Sequence, residues 1–198
     1  LGGATKERPL LGRSTGIALW TDPSDGAKYA LLAAGPYGVG VANVDDPSAP
    51  VLVKTFEPVK LEDGKVGKAD GRCVDVFVLG PHAYYTYDGF GVLCFALDDL
   101  VEPLPAGVSP TKVWKVQNGV VQYDYRPLAL GEFRLREQVG FEDFGGGALN
   151  MTHTAVGGEP VLYVAYGTAG VVKLTWTDPT APVFAGFQPT VGECSAIT

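Results

Sequence analysis

A fourteen-residue pattern returns three times, and no other feature constrains the fold of this chain so strongly. Gly38 to Val51 reads GVGVANVDDPSAPV, Gly91 to Leu104 reads GVLCFALDDLVEPL, and Gly170 to Val183 reads GVVKLTWTDPTAPV. Each copy opens on Gly-Val, sets an Asp eight residues on (Asp46, Asp99, Asp178) and a Pro four residues later (Pro50, Pro103, Pro182). Val172, Leu174 and Trp176 alternate with Val171, Lys173 and Thr175, so the two sets occupy opposite faces of an extended strand. The matching residues are Gly40, Ala42 and Val44 in the first copy, and Leu93, Phe95 and Leu97 in the second. A period of two in Val, Phe and Trp is strand chemistry. Asp and Pro then end the strand: Asp accepts backbone N–H bonds in a turn, and Pro removes a ladder donor.

Further strands flank each copy. One precedes it at Tyr29–Ala33, Ala83–Tyr87 and Leu162–Tyr166, and another comes earlier at Gly16–Trp20, Cys73–Val78 and Ala148–Val156. A last strand follows at Val51–Phe56, Pro110–Val116 and Val183–Phe187. Asp25-Gly26, Gly80-Pro81 and Gly157-Gly158 supply hairpin reversals between the first two strands of each unit. A four-stranded antiparallel unit that repeats is the make-up of a propeller blade. The expected fold is therefore all-β, a β-propeller or partial propeller forming one domain over 1–198. Blades are expected at about 14–58, 71–116 and 147–190. The longer interval between the second and third copies marks an insertion at 117–147, with a hairpin of Val120–Tyr125 and Glu132–Gln138. Gly145-Gly146-Gly147 at its end reads as a hinge. Gly192 to Thr198 repeats the opening of the second unit, Gly71 to Phe77, so an incomplete blade starts from 191. Closed propellers have about 4–8 blades. The stretch before Ser14, another chain or further sequence would have to complete the last one.

The repeat resembles the LVIVD-repeat family of bacterial and archaeal propeller proteins. The resemblance rests on Val74-Asp75-Val76, Ala83-Tyr84, Gly91-Val92, Leu97-Asp98-Asp99 and Pro103, with the Gly-Val strands and Asp-Pro-x-x-Pro turns of the other two copies. It spans about two-thirds of the chain, and Asp99-Leu100 replaces Asp-Pro in the second copy. The resemblance implies an extracellular, periplasmic or cell-surface location. It implies no single activity and no shared catalytic residues.

Composition narrows the function classes. Hydrophobic residues make up 46% of the chain and charged residues 19%, enough for a large core and too few charges for a disordered chain. A net charge of −7 without a Lys/Arg cluster disfavours nucleic-acid partners, which need positive charge against phosphate. No apolar run approaches the length of a membrane span. A chain opening on Leu1 is expected to be a processed or trimmed product. The three cysteines, Cys73, Cys94 and Cys194, fit neither a zinc spacing nor a Cys-x-x-Cys motif and read mainly as small buried hydrophobes, with one disulfide among them as the alternative.

Few residues offer chemistry. His82 sits at a Gly-Pro turn, and His153 lies on a first strand, the strand that lines a propeller channel. Cys73 and Cys194 hold corresponding places at the start of their units, with Asn150 near the same point. Thiolate and imidazole together suit zinc or copper, so Cys73, His153 and Cys194 form a candidate metal set, with Asn150 as a channel ligand. Asp45-Asp46 and Asp98-Asp99 recur at one point of the repeat and read as turn formers rather than as an acid/base pair. No Gly-x-Ser-x-Gly motif, EF-hand or phosphate loop is present. Asn150-Met151-Thr152 is a glycosylation sequon placed on a strand, where it makes a poor acceptor. Tyr84, Tyr85, Tyr87 and Phe90 read as packing between blades. The sequence therefore points to a non-catalytic binding or assembly module that requires no cofactor. Its expected partners are proteins or further copies that complete the last blade. The alternative is a propeller enzyme or enzyme subunit with a metal or ligand site at the central channel.

Overall fold

The computed structural model describes residues 14–57, 59–62, 65–68, 71–117, 120–139, 147–156 and 159–197. The architecture is all-β, with three four-stranded antiparallel sheets and two helices of five residues each. The first sheet runs β1 (Gly16–Thr21), β2 (Lys28–Ala33), β3 (Val39–Asn43) and β4 (Val51–Phe56) in sequence order. A two-stranded hairpin follows, β5 (Val59–Glu62) with β6 (Lys65–Lys68). The second sheet starts with β7 (Cys73–Leu79), β8 (His82–Tyr87) and β9 (Gly91–Ala96). Helix α1 (Leu97–Val101) and a second hairpin, β10 (Trp114–Gln117) with β11 (Val120–Asp124), come before its outer strand β12 (Gly131–Phe133). Helix α2 (Leu135–Val139) leads toward the third sheet, β13 (Asn150–Val156), β14 (Glu159–Ala165), β15 (Val171–Thr175) and β16 (Val183–Gln188).

The recurring Asp does what its turn chemistry requires in two of the copies. Asp46 Oδ1 accepts the Ser48 N–H at 2.9 Å and the Ser48 hydroxyl at 2.6 Å. Asp178 Oδ1 accepts both corresponding donors of Thr180 at 2.8 Å. Asp98 and Asp99 differ, because they occupy the first turn of α1 instead of a strand-ending turn. The reason is local: Leu100 replaces the Pro, and Leu97, Leu100 and Val101 form an apolar helical face that is fully or nearly fully buried.

The second sheet also corrects the expected outer strand. Pro110–Val116 does not pair with β9; Gly131–Phe133 does, with Gly131 opposite Cys94 and Phe133 opposite Val92. Pro103, Pro105 and Pro110 lack ladder donors, and turns at 106–107 and 110–111 carry this stretch away from the sheet edge. The Pro110 carbonyl instead accepts the Thr55 N–H of the first sheet at 2.7 Å. The expected pairing of Val120–Tyr125 with Glu132–Gln138 is likewise replaced: β11 pairs with β10, and Glu132–Gln138 divides between β12 and α2. The turn at Gly157-Gly158, the stretch before Ser14 and most of the Gly145–Gly147 hinge lie outside the described residues.

The sheets stack face to face in chain order. Val76, Ala83, Tyr85, Leu93 and Phe95 of the second sheet pack on Leu31, Ala33, Val39 and Val41 of the first. Its opposite face, with Tyr84, Val92, Cys94 and Phe133, packs on Met151, Leu162, Val164, Val172, Leu174 and Trp176 of the third. A Tyr84–Trp176 edge contact, with ring centroids 5.1 Å apart, marks the second interface. Pairing register gives the first sheet the same two faces. Ile17 opposite Leu32 and Leu19 opposite Ala30 correspond to Met151 opposite Val164 and His153 opposite Leu162. In the third sheet that face meets the second sheet, whereas in the first sheet Ile17 is 63% and Leu19 73% exposed.

Candidate functional site

The first strands β1, β7 and β13 lie side by side, and polar side chains tie them together. Gly16 permits the first contact, because a Cβ there would come within 2.4 Å of Asp75 Oδ1 and 2.7 Å of Asp75 Cα. The Thr15 hydroxyl donates to the Val74 carbonyl. Across the next gap, the Asn150 amide donates to Asp75 Oδ2 at 2.7 Å while Asp75 Oδ1 accepts the Val76 N–H at 2.9 Å. Burial holds the Asp75 carboxyl above its usual pKa, opposed by the N–H groups of Val76 and Met151 and by the Asn150 amide. Asn150 Oδ1 in turn accepts the Ile197 N–H at 2.9 Å. Both ends of the sequon Asn are therefore occupied in the fold.

Backbone bridges repeat beside these contacts. Gly35 and Cys73 exchange two hydrogen bonds, at 3.0 and 2.9 Å, and Gly167 and Cys194 exchange the same pair at 3.1 and 2.9 Å. Cys194 thus stands to the third sheet as Cys73, the first residue of the second sheet, stands to the first.

The candidate metal residues occupy separate environments. Cys73 is fully buried, and burial pushes its thiol well above the ordinary range, with the Tyr87 hydroxyl against it. Cys94 is also buried, its thiol pushed up to about 12 chiefly by burial. Cys194 is half-buried, and all three cysteines are free thiols. The His153 ring lies 4.6 Å from that of Phe77, four residues along β7 from Cys73 and so roughly 13 Å away by strand rise. Among the described residues no three His, Cys, Asp or Glu side chains group to hold a metal ion. What the fold does bring together is His153 with His82: both line a cavity of about 450 Å³ between the second and third sheets, with Tyr84, Pro160 and Trp176. Burial lowers the His82 pKa. Tyr84, Tyr85, Tyr87 and Phe90 are core residues, and the hydroxyls of Tyr85 and Thr86 have no hydrogen-bond partner among the described residues.

Sequence reading missed the buried cations. Lys54, on β4, is 2% exposed and donates to the Asp99 carbonyl of α1 at 3.1 Å. Burial lowers its pKa, while Glu102 and Asp99 draw it back up. Arg126 is held by Asp124 through two charge-assisted bonds, and its guanidinium lies 4.4 Å from the Trp114 ring centroid. Arg134 sits 3.7 Å over the Phe90 ring and pairs with Glu137 at 3.2 Å. A lone Lys in VLVKTF carries no signal beyond strand alternation. Its burial depends on segments that arrive from α1 and from the end of β11.

No protein family, curated protein or solved structure matches this chain.

Proposed function

We propose that the chain is the body of a β-propeller of the LVIVD-repeat kind, and that it works as a non-catalytic binding or assembly module outside the cytoplasm. The carrying observation is the repeated backbone bridge: Gly167–Cys194 reproduces Gly35–Cys73, so the same stacking step begins again at the far side of the third sheet. Front-to-back stacking leaves one apolar front, the face of Ile17 and Leu19, and one rear face, that of Tyr163 and Lys173. Two such unlike surfaces on one molecule favour a heterologous contact that closes a ring or adds a partner. Size-exclusion chromatography with light scattering tests this reading. The expected result is a defined oligomer that returns to a monomer in the Ile17→Lys/Leu19→Lys variant. A wild-type chain that stays strictly monomeric, with no partner at high concentration, would remove the assembly role.

A second reading is a propeller enzyme or ligand-binding subunit. The placement of His82 and His153 on one cavity beside Trp176 favours it. Its metal form would use Cys73, His153 and Cys194 and requires them to converge in the assembled protein. Calorimetric titration with Zn²⁺ that gives stoichiometric heat, lost in His153→Ala, supports it, and the absence of heat ends it.

A further inference from the structure

We propose that the cavity over Lys54 binds a small zwitterion with an apolar body, of the class of an apolar α-amino acid. The cavity measures about 450 Å³ and forms where β4, the end of α1 and the segment after β11 meet. Its floor holds Lys54, its mouth Asp99 and Glu102, and its walls Pro103, Leu104, Pro127 and Leu128.

The chemistry follows from what remains unpaired. An ammonium has three N–H donors, and the Asp99 carbonyl takes one from Lys54. That bond explains a structural tie between β4 and α1 but leaves two donors and the charge without a direct acceptor among the described residues. Asp99 and Glu102 interact with the ammonium through space, yet among the described residues neither forms a salt bridge with it. An apolar residue of similar volume would avoid this desolvation cost. Arg126 and Asp124 neutralise each other in the wall, so the charges left to a ligand are one buried cation and two exposed carboxylates. A simple anion meets the two carboxylates, and a simple cation meets the ammonium. A molecule with a carboxylate for Lys54 and an ammonium for Glu102 and Asp99 satisfies both signs, and the Pro and Leu walls take its side chain. Thr55–Pro110 and Tyr125–Val113 backbone bonds, at 2.7 and 2.8 Å, tie the strand beside Lys54 and the lining residue Tyr125 to the 110–113 segment.

This site is independent of the assembly reading, and its test separates the two. Isothermal titration with L-leucine as probe is expected to give saturable binding. L-leucinamide, which lacks the carboxylate, and 4-methylpentanoate, which lacks the amine, are expected to bind about tenfold more weakly or worse. Lys54→Met is expected to abolish leucine binding. Glu102→Gln changes an exposed side chain, so it should fold even if the Lys54 variant does not. It is expected to weaken leucine but not 4-methylpentanoate, which should bind as well or better once one repelling carboxylate is gone. Absence of leucine binding overturns the proposal, as do equal affinities for the three probes or a Glu102→Gln variant that binds leucine like the wild type.

Discussion

At the residue scale the three cysteines separate by burial. The thiolate is the reacting form, and a thiol near 12 exposes about one part in ten thousand of it at pH 8. Cys94 is in that state, and Cys73 lies beyond it. Native protein titrated with a thiol reagent is therefore expected to give one rapidly reacting group, Cys194, and three after denaturation. Rapid reaction of a Cys194→Ser variant would contradict this placement. Asp75 supplies a pH signature of defined sign. Its folded pKa is raised, so in the acid range the native state holds the proton more readily than the unfolded chain. Its contribution to stability falls as pH rises from the ordinary carboxylate value through the raised one, and stays low above that. Asp46 and Asp178, held below their usual values by turn bonds, act oppositely and lose stabilisation as pH falls. The Asp75 effect must be read as a difference. Urea midpoints of Asp75→Asn against wild type, taken across about pH 3 to 6, are expected to shift in favour of the variant as pH rises. A difference that does not change with pH would refute it.

At the element scale, what could be read from the sequence depended on whether the signal was local. Alternation placed eight of the twelve expected strands closely, those of the first and third sheets, because turn chemistry at Asp46 and Asp178 ended each run within the same few residues. The second sheet hid its outer strand because Gly131–Phe133 is too short to alternate visibly. What holds β12 is tertiary: the Leu130 N–H donates to the Cys94 carbonyl at 2.8 Å, and Phe133, 2% exposed, stacks on Phe184 of the third sheet at 6.0 Å. The candidate site was hidden in the same way. Lys54, Asp99, Glu102 and Arg126 come from segments distant in sequence, and only their packing creates a cavity. Phe133 is thus the anchor of its strand. Phe133→Ala is expected to cost about 3–5 kcal/mol and to raise amide exchange along β9 and β12, leaving the first sheet protected. Uniform loss of protection across all sheets would contradict an anchor local to β12.

At the scale of the whole molecule, the cores are arranged in a line. One cluster joins the first and second sheets, the other joins the second and third, and no residue of the first sheet belongs to the second cluster. Stability in such an array approximates a sum of unit terms and nearest-neighbour interfaces, as in stacked repeats. The second sheet is the common partner, and α1 attaches to it through β9. Weakening one interface should therefore uncouple one end and leave the other standing. Trp176 is the lever: it is 2% exposed, meets Tyr84 edge-on, and its indole N–H donates to the Pro179 carbonyl at 3.1 Å. Trp176→Ala removes a large side chain from the second interface and touches nothing in the first, at an expected cost of about 3–5 kcal/mol. Denaturant unfolding of the variant is expected to split into two phases, each with a smaller slope than the wild-type transition, because each phase exposes only part of the buried surface. The early phase should coincide with loss of protection in β13–β16, and the late phase with loss in β1–β4. A single transition of unchanged slope, shifted as a whole, would mean that the three sheets melt as one unit and that the first sheet senses the third through the inner strands alone.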